Sequence, residues 1–308
     1  MLFIFISCKK NVDTVVKYNK TTIDNTIRLN KIIALKNGDW IAVGGKKNIS
    51  GKIYKSSNKG KSWFNIYSTQ QSIYDIIQIG DSVLFAGGNY LSLLHSKDNG
   101  ENWGLFWFDD NVPIDEIDRT TIRKFNTYND SVINFVGGDE YARGILYSST
   151  NFGNDWHFQK FNHELRSIAF NGDENLIGGY GMVLNFYSPY QQVNNLNFTN
   201  DFITGIVWVN NYEAILVSST GNVYNYQTHS KIFKKTDHIS GQFNDLVKTN
   251  NKIYAIGNNG LICIINSDGT VAQQMLLEKS VHLLSATYME NKLWVCGSNG
   301  CLYEVIHF

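Results

Sequence analysis

The sequence is poor in proline and carries no excess charge, and each shortage excludes a class of structure or function. Two prolines in 308 residues leave glycine, asparagine and aspartate to form the turns. Lysine plus arginine and aspartate plus glutamate number 27 each, so the formal net charge is zero. We therefore expect no nucleic-acid binding through bulk positive potential. No apolar run reaches the roughly 18 to 20 residues that a membrane-spanning helix needs.

Cysteine is also scarce, and its pattern does not predict a metal site. Cys263, Cys296 and Cys301 form no CxxC pair, and the seven histidines of the chain are scattered. We therefore predict no metal and no other cofactor. Cys296 and Cys301 flank a GSNG turn, which leaves two interpretations open. They form a disulfide across a hairpin, or they are small buried side chains.

The first eight residues, MLFIFISC, are uncharged and precede Lys9 and Lys10. They resemble the end of a bacterial lipoprotein signal peptide, with Phe5-Ile6-Ser7-Cys8 as the lipobox. The resemblance implies that Cys8 receives a lipid and becomes the first residue of the mature protein. The protein would then be anchored in the cell envelope, in the periplasm or at the surface, by this lipid only. The positive n-region is missing and Phe5 stands where leucine is usual, so an ordinary apolar first strand is the alternative.

A short apolar run that ends in small residues occurs seven times. The copies are WIAVGG, VLFAGG, INFVGG, ENLIGG, AILVSS, IYAIGN and LWVCGS. Their fifth residues are Gly44, Gly87, Gly137, Gly178, Ser218, Gly257 and Gly297. These positions are 39 to 50 residues apart. A further apolar stretch precedes each run, and one or two more follow most of them, all rich in β-branched and aromatic residues.

A period of about 40 residues with four strands per unit predicts a β-propeller. We predict an all-β, seven-bladed propeller of four-stranded antiparallel blades, filling residues 9–308 as one domain. The blades begin near residues 29, 73, 122, 165, 203, 243 and 283. The last unit stops after its third strand, so we expect residues 12–23 to supply its outer strand and close the ring. We expect a monomer.

Three eight-residue stretches share the pattern Ser-x-[Asp/Asn]-x-Gly-x-x-Trp and resemble the Asp-box, or bacterial neuraminidase repeat. The shared residues are Ser56, Asn58, Gly60 and Trp63; Ser96, Asp98, Gly100 and Trp103; and Ser149, Asn151, Gly153 and Trp156. We expect the Asn or Asp side chain to accept a hydrogen bond from the N–H two residues on. The glycine then takes a positive φ and the tryptophan packs between sheets. One such side chain per turn is too few oxygen ligands for calcium, so we predict structural turns.

The similarity extends beyond these turns. The stretches DWIAVGG and GKIYKSSNKGKSW resemble the repeat of the photosystem II stability and assembly factor family. The resemblance is good in blades one to three and thin in blades four to seven. It implies a seven-bladed propeller that binds partner proteins during the assembly of membrane complexes. The arginine patch of that family has no residue-by-residue match in this sequence.

Candidate binding residues lie in two places. Propellers usually bind ligands on the face formed by the loops between second and third strands and by the links between blades. The candidates there are Lys46, Lys47, Tyr90, Asp139, Glu140, Tyr141, Arg143 and Tyr180. The inner strands add charges toward the channel: Lys31, Asp75, Arg123, Lys124, Arg166 and Asp245. Arg123 and Arg166 either hold a carboxylate, such as the C-terminus of a peptide, or are neutralised by Asp75 and Asp245.

An insertion between blades two and three, FDDNVPIDEIDR, carries Asp109, Asp110, Asp115, Glu116, Asp118 and Arg119. An enlarged loop on a rigid scaffold is a place to look for function, and a solvated acidic loop is the alternative.

No catalytic motif accompanies the repeats. A sialidase needs three arginines, a Tyr–Glu pair and an acid, whereas four of the five arginines cluster around blades three and four. We predict a non-catalytic envelope propeller that binds a protein or polypeptide. The alternative is a carbohydrate-binding or sialidase-like propeller, in which rings such as Tyr90, Tyr141, Tyr180 and Trp107 stack on sugars.

Overall fold

A computed structural model of the chain describes residues 14–106, 108, 120–129, 131–139, 142–172, 174–186, 194–196 and 201–307. Seven antiparallel sheets form the blades of a β-propeller. The predicted fold class is therefore confirmed. The strands are short and rich in β-branched and aromatic residues, and turn residues separate them.

Each blade is given from its inner strand outwards. Blade one contains β3 (Arg28–Ala34), β4 (Trp40–Lys46), β5 (Ser50–Ser56) and β6 (Phe64–Thr69), and blade two contains β7 (Ile73–Ile79), β8 (Val83–Gly88), β9 (Leu93–Ser96) and β10 (Gly104–Leu105). Blade three contains β11 (Thr121–Asn129), β12 (Val132–Asp139), β13 (Arg143–Ser149) and β14 (His157–Phe161). Blade four contains β15 (Leu165–Phe170), β16 (Asn175–Gly179), β17 (Met182–Phe186) and β18 (Asn194–Asn195).

The remaining blades follow the same order. Blade five contains β19 (Ile203–Asn210), β20 (Glu213–Ser218), β21 (Asn222–Gln227) and β22 (Ile232–His238), and blade six contains β23 (Phe243–Lys248), β24 (Ile253–Gly257), β25 (Leu261–Ile265) and β26 (Val271–Leu276). Blade seven contains β27 (Leu283–Met289), β28 (Lys292–Gly297) and β29 (Cys301–His307). Single 3₁₀ turns at Asn258–Gly260 and Ser298–Gly300 join the second and third strands of blades six and seven.

The N-terminal strand closes the ring. Strand β2 (Lys17–Thr22) pairs antiparallel with β29, with Tyr18 opposite Val305 and Thr22 opposite Cys301. It thereby covers the edge that β29 would leave open, as predicted. The sequence did not predict β1 (Thr14–Val15), which pairs in parallel with β26 of blade six. The N-terminal segment therefore ties blade six to blade seven.

The chain makes two loop-bearing faces. Loops between second and third strands, such as 47–49 and 89–92, lie on one face together with the links between blades, such as 70–72. We call it the link face. Loops between first and second strands and between third and fourth strands, such as 57–63 and 97–103, lie on the opposite face. We call that one the turn face.

The hydrophobic core lies between neighbouring blades. Ile41 and Val43 of blade one pack in one cluster with Leu84 and Ala86 of blade two. Blades seven and one meet in the same way, with an edge-to-face contact of 4.8 Å between the ring centroids of Trp40 and Trp294. Each blade is therefore stabilised by its neighbours as well as by its own strand pairing.

The three Ser-x-[Asp/Asn]-x-Gly-x-x-Trp turns share one hydrogen-bond pattern. In SKDNGENW, Ser96 Oγ accepts from Gly100 N at 2.9 Å and Trp103 Nε1 donates to Gly100 O at 3.0 Å. Asp98 Oδ1 accepts from Asn102 N at 2.9 Å. The two equivalent turns repeat all three bonds. The bond to Asp or Asn thus comes from four residues on, where the sequence predicted two.

The shared pattern of these turns fixes the backbone of the turn itself, because the side chains bond to its N–H and C=O groups. The glycines have φ values of 80, 83 and 82°, a conformation that a side chain would disfavour. The N–H of Asn102 and then its side chain, with help from Ser96, lower the pKa of Asp98 to about 2. The carboxylate is thus committed to hydrogen bonds within its own turn.

Every inner strand contains a β-bulge near its start, at its second residue or, in blades one and three, at its third. The register shifts fall between Leu29 and Lys31 in blade one and between Ile73 and Asp75 in blade two, and the other five blades repeat the shift. A bulge leaves one residue unpaired and re-aims its side chain. The bulged residues are Asn30, Tyr74, Arg123, Arg166, Thr204, Asn244 and Leu284.

The repeated glycine of the apolar run lies against this inner backbone. A methyl group on Gly257 would lie 1.8 Å from the carbonyl oxygen of Gln242, and one on Gly137 would lie 1.9 Å from that of Thr121. Gly44 and Gly297 are equally crowded. The glycine is therefore required by close backbone approach.

We predict that Gly257→Ala lowers the free energy of unfolding by about 2 to 3 kcal/mol, because backbone must move to admit the methyl group. Urea denaturation followed by tryptophan fluorescence measures the change. Gly104→Ala is the matched control, since its methyl group would meet nothing closer than His95 at 3.8 Å. Equal stability of the two variants would contradict the close-approach argument.

Acidic side chains that are buried or partly buried join the links to the blades that follow them. Asp201 accepts from Tyr224 Oη, Asn222 Nδ2 and Thr220 Oγ1, each at 2.8 Å. In the same way, Asp24 accepts hydrogen bonds from Tyr54 Oη and Lys52 Nζ, and Glu278 accepts one from Tyr303 Oη. Burial alone would raise the pKa of Asp201, but the hydrogen bonds from Asn222, Ser218, Tyr224 and Thr220 outweigh it and lower the pKa.

A carboxylate with a lowered folded pKa stabilises the protein above its unfolded pKa, and this stability is lost as pH falls through the folded pKa. We predict that Asp201→Asn costs about 1 to 3 kcal/mol at pH 7. The difference from the wild type should shrink as the pH is lowered below about 4, near the unfolded aspartate pKa. Urea titrations at pH 7, 5 and 3.5 test this. Asp81→Asn, at a side chain that is 97% exposed, is the control and should change little. A difference that does not vary with pH would contradict the assignment.

Candidate functional site

A funnel-shaped cavity of about 960 Å³ opens on the link face. Its wall is formed by the start of every inner strand and by neighbouring links and loops. All seven bulged residues, from Asn30 in blade one to Leu284 in blade seven, line it. The bulge therefore places one side chain of every blade in the funnel wall.

In three blades the bulged side chain bonds to the next blade. Asn30 Nδ2 donates to Ile73 O at 2.6 Å, and Asn244 Nδ2 donates to Leu283 O at 2.7 Å. Thr204 Oγ1 donates to Phe243 O at 2.9 Å. These bonds hold adjacent blades in register around the axis. The same place in blades two, three and four is taken by Tyr74, Arg123 and Arg166.

The two arginines converge on one buried carboxylate. Glu164 is fully buried in the link between blades three and four. Its Oε1 accepts a short bond from Arg123 Nε, and its Oε2 lies 3.4 Å from an Nη atom of Arg166. The sequence nominated Asp75 and Asp245 as the neutralising partners, and the structure shows Glu164 instead. In the sequence, the position of Glu164 directly before an inner strand was the one feature that could have indicated this role.

Aromatic rings fix the other side of each guanidinium. Arg123 lies 4.9 Å from the centroid of the Tyr74 ring, and Arg166 lies 4.4 Å from that of Phe202. Stacking and ion pairing together reduce the rotamer freedom of both side chains. The Arg123–Glu164–Arg166 group is therefore ordered before any ligand binds, and two guanidiniums share one negative charge.

A second set of paired charges lies at the next position along the inner strands. Lys124 Nζ lies 3.0 Å from Asp245 Oδ1, and Asp245 Oδ2 accepts from Ser285 Oγ at 2.9 Å and Ala286 N at 3.1 Å. Asp75 Oδ2 accepts from Phe125 N at 2.7 Å. Lys31 Nζ reaches Ser285 Oγ at 3.4 Å. Asp75 and Asp245 therefore connect neighbouring blades.

The pKa shifts agree with this pairing. Burial raises the pKa of Asp75 although Lys124 and Lys31 oppose it. Burial alone would also raise the pKa of Asp245. The charges of Lys124 and Lys31, together with hydrogen bonds, outweigh burial and lower this pKa. Burial would lower the pKa of Lys124, and the carboxylates of Asp245 and Asp75 raise it. Lys124 is thus held in its charged form between two acids.

The described wall of the funnel is cationic although the chain is neutral as a whole. Among the described residues that line it, two are carboxylates, Asp75 and Asp245. Seven basic side chains face them: Arg28, Lys31, Lys46, Lys47, Arg123, Lys124 and Arg166. Glu164, which is buried behind the arginines, offsets one more charge. A concave wall with an excess of one sign attracts ligands of the other sign.

The remaining candidates lie around the funnel or outside the described residues. Asp139 and Arg143 form an ion pair of 3.1 Å on the rim of blade three. Tyr180 is half-buried, with its ring 5.5 Å from His163 and 5.8 Å from Phe202. Tyr90 is 49% exposed. Glu140, Tyr141, Trp107, Cys8 and the insertion from Asp109 to Arg119 lie outside the described residues.

The described residues contain no group of three or more His, Cys, Asp or Glu side chains placed to hold a metal ion. Cys263, Cys296 and Cys301 are buried free thiols, so the alternative of small buried side chains holds for them. Within the same described part, no helix is long and apolar enough to cross a membrane.

Comparison with known proteins finds solved structures that share this fold over nearly the whole chain. The chain is a seven-bladed β-propeller. A structure of YCF48 bound to D1 peptide aligns with a TM-score of 0.74 at 12% identity, covering 97% of this chain and 98% of that one. YCF48 from Cyanidioschyzon merolae gives 0.70 at 12% identity, covering 94% and 98%. The WD40 propeller domain of Doa1 gives 0.71 at 13% identity, covering 95% and 98%.

No protein-family model and no curated protein matches the chain. The similar structures therefore establish the architecture alone.

We predict that Arg123→Ala/Arg166→Ala lowers the free energy of unfolding by about 3 kcal/mol, because it leaves the Glu164 carboxylate buried without its cations. Adding Glu164→Gln should restore most of that loss, since a neutral amide costs less to bury. Chemical denaturation of the double and triple variants measures both changes. A double variant as stable as the wild type would contradict the ion-pair assignment. The triple variant, which we call the neutral variant, is the one to use in binding experiments.

Proposed function

We propose that this chain is a non-catalytic propeller that binds a polypeptide partner through the funnel, with Arg123 and Arg166 as the point that recognises a carboxylate. The observation that carries the proposal is the convergence of two ordered guanidiniums from adjacent blades on a cationic cavity. Arginine is suited to a carboxylate because its planar fork can donate two parallel hydrogen bonds.

A terminal carboxylate fits the charge of the site. Glu164 supplies one negative charge to two guanidiniums, so one positive charge is left for a ligand. Lys46 and Arg28 are exposed along the same funnel and extend the positive surface. The similar structure of YCF48 bound to D1 peptide shows that a propeller of this shape accommodates a peptide.

The carboxylates in and behind the funnel favour binding over hydrolysis. Glu164 is bonded to both arginines, Asp245 to Lys124, and Asp75 to a backbone N–H. A glycosidase needs two carboxyl groups free to act as acid and as base or nucleophile. These three are committed to partners within the protein.

We further propose that Cys8 carries a lipid anchor, which the resemblance of MLFIFISC to the end of a lipoprotein signal peptide supports. The first described strand, β1, pairs with β26 at the outermost edge of blade six. The described chain therefore begins at the periphery of the ring, away from the inner strands that form the funnel wall.

The test is binding to a library of fluorescent peptides, each prepared with a free C-terminal carboxylate and with an amide. The wild type should bind the best free-acid peptides at least about tenfold more tightly than their amides, which corresponds to about 1.4 kcal/mol. The neutral variant should lose this discrimination. Arg143→Gln is the matched control, because that arginine pairs with Asp139 on the rim.

A neutral variant that folds and still discriminates the free acid would place recognition elsewhere. Crosslinking and recovery of partners from native cell envelopes complements the library. A defined protein recovered by the wild type and lost by the neutral variant supports the proposal. Recovery of glycan alone by both would favour the carbohydrate-binding alternative.

A further inference from the structure

Two exposed apolar side chains lie beside the funnel. Within the described part of the chain, eight large apolar side chains are strongly exposed. Of these, only Ile49, at 60%, and Tyr90, at 49%, belong to loops of the link face. Single exposed apolar residues are ordinary on a protein surface, and these two are distinguished by their position beside the funnel.

The two loops are joined to each other. Asn89 Nδ2 donates to Asn48 Oδ1 at 2.9 Å, and these residues directly precede Tyr90 and Ile49. Both loops are also continuous with the funnel wall. Lys47 of the first loop and Lys46 at the end of β4 line the funnel. In the second loop, Asn89 N donates at 3.1 Å to the carbonyl oxygen of Ser72, another lining residue. Ile49 and Tyr90 therefore form an apolar rim on the funnel at blades one and two.

The backbone that presents Tyr90 is strained. Tyr90 and Leu91 have φ values of 54 and 49°, a conformation that bulky L residues rarely adopt. Leu91 is buried, and its N–H donates to Thr120 O at 2.7 Å, so packing and hydrogen bonding explain its place. Packing and hydrogen bonding do not explain why the Tyr90 ring is held half-exposed. Strain that holds a side chain toward solvent beside a cavity points to a binding role.

We propose that the polypeptide held in the funnel has an apolar side chain, upstream of its terminal carboxylate, that packs on Ile49 and Tyr90. This inference rests on the proposed function, because it takes one bound chain to contact both the arginines and the rim, which border the same funnel. The partner is then defined by two features, a free C-terminus and an apolar residue a few positions before it. Two separated contacts of different chemistry would fix the direction of the chain in the funnel.

The experiment scans one leucine through each position of a soluble peptide of Gly, Ser and Glu residues with a free C-terminus. The wild type should bind peptides with leucine in one narrow window at least tenfold more tightly than the leucine-free peptide. Ile49→Ser/Tyr90→Ser should abolish this preference and keep the discrimination between free acid and amide. Phe64→Ser/Ile232→Ser, which removes two exposed apolar side chains near the turn face, is the matched control and should keep both.

The outcomes separate the two proposals. If the wild type binds none of the scanned peptides and none of the free-acid library, both proposals fail. If it discriminates the free acid but shows no leucine window, or if the serine variant keeps the window, only the rim proposal fails. Thermal melting checks that the serine variant is folded. If it is not, Tyr90→Asn with Ile49→Ser takes its place, because asparagine adopts a positive φ more readily.

Discussion

A bulge at the second or third residue of each inner strand is the constraint on which the rest of this structure depends. It turns that residue toward the axis in all seven blades. In blades one, five and six the side chain is an amide or hydroxyl that bonds the next blade. In blades two to four it is tyrosine or arginine. One backbone device therefore holds part of the ring together and presents a binding surface in the other part.

The charges of the funnel follow from this division. Arginine side chains turned into a cavity are costly to desolvate unless a carboxylate accompanies them. Glu164 meets that need from the link behind the two arginines, and Asp245 does so for Lys124. The chain as a whole is neutral, so the positive funnel arises from the placement of charges. Because each guanidinium is held by both an ion pair and a ring, the site keeps its geometry without a ligand.

Several features of the fold were predictable because they arise from local chemistry. The period near 40 residues, the small residue in each apolar run and the three Ser-x-[Asp/Asn]-x-Gly-x-x-Trp turns are visible in the sequence. So was the missing strand of the last blade, which β2 supplies. The details were less accessible. The Asp98 side chain accepts from four residues on, where two was expected, because the register of a turn depends on its backbone conformation. The pairing of Thr14–Val15 with blade six had no signal in the sequence pattern.

The sequence by itself determined the repeat, the strands and the number of blades, since these depend on hydrophobic periodicity and turn residues within about 40 positions. It also nominated Arg123 and Arg166. Only the tertiary structure decided that they meet on Glu164, 41 residues from Arg123, and that Lys124 pairs with Asp245, 121 residues away. Such contacts exist only once the ring is closed, because closure brings inner strands that are distant in sequence around one axis. The bulges that orient these side chains likewise arise only when strands pair, so they could not be predicted from composition and spacing.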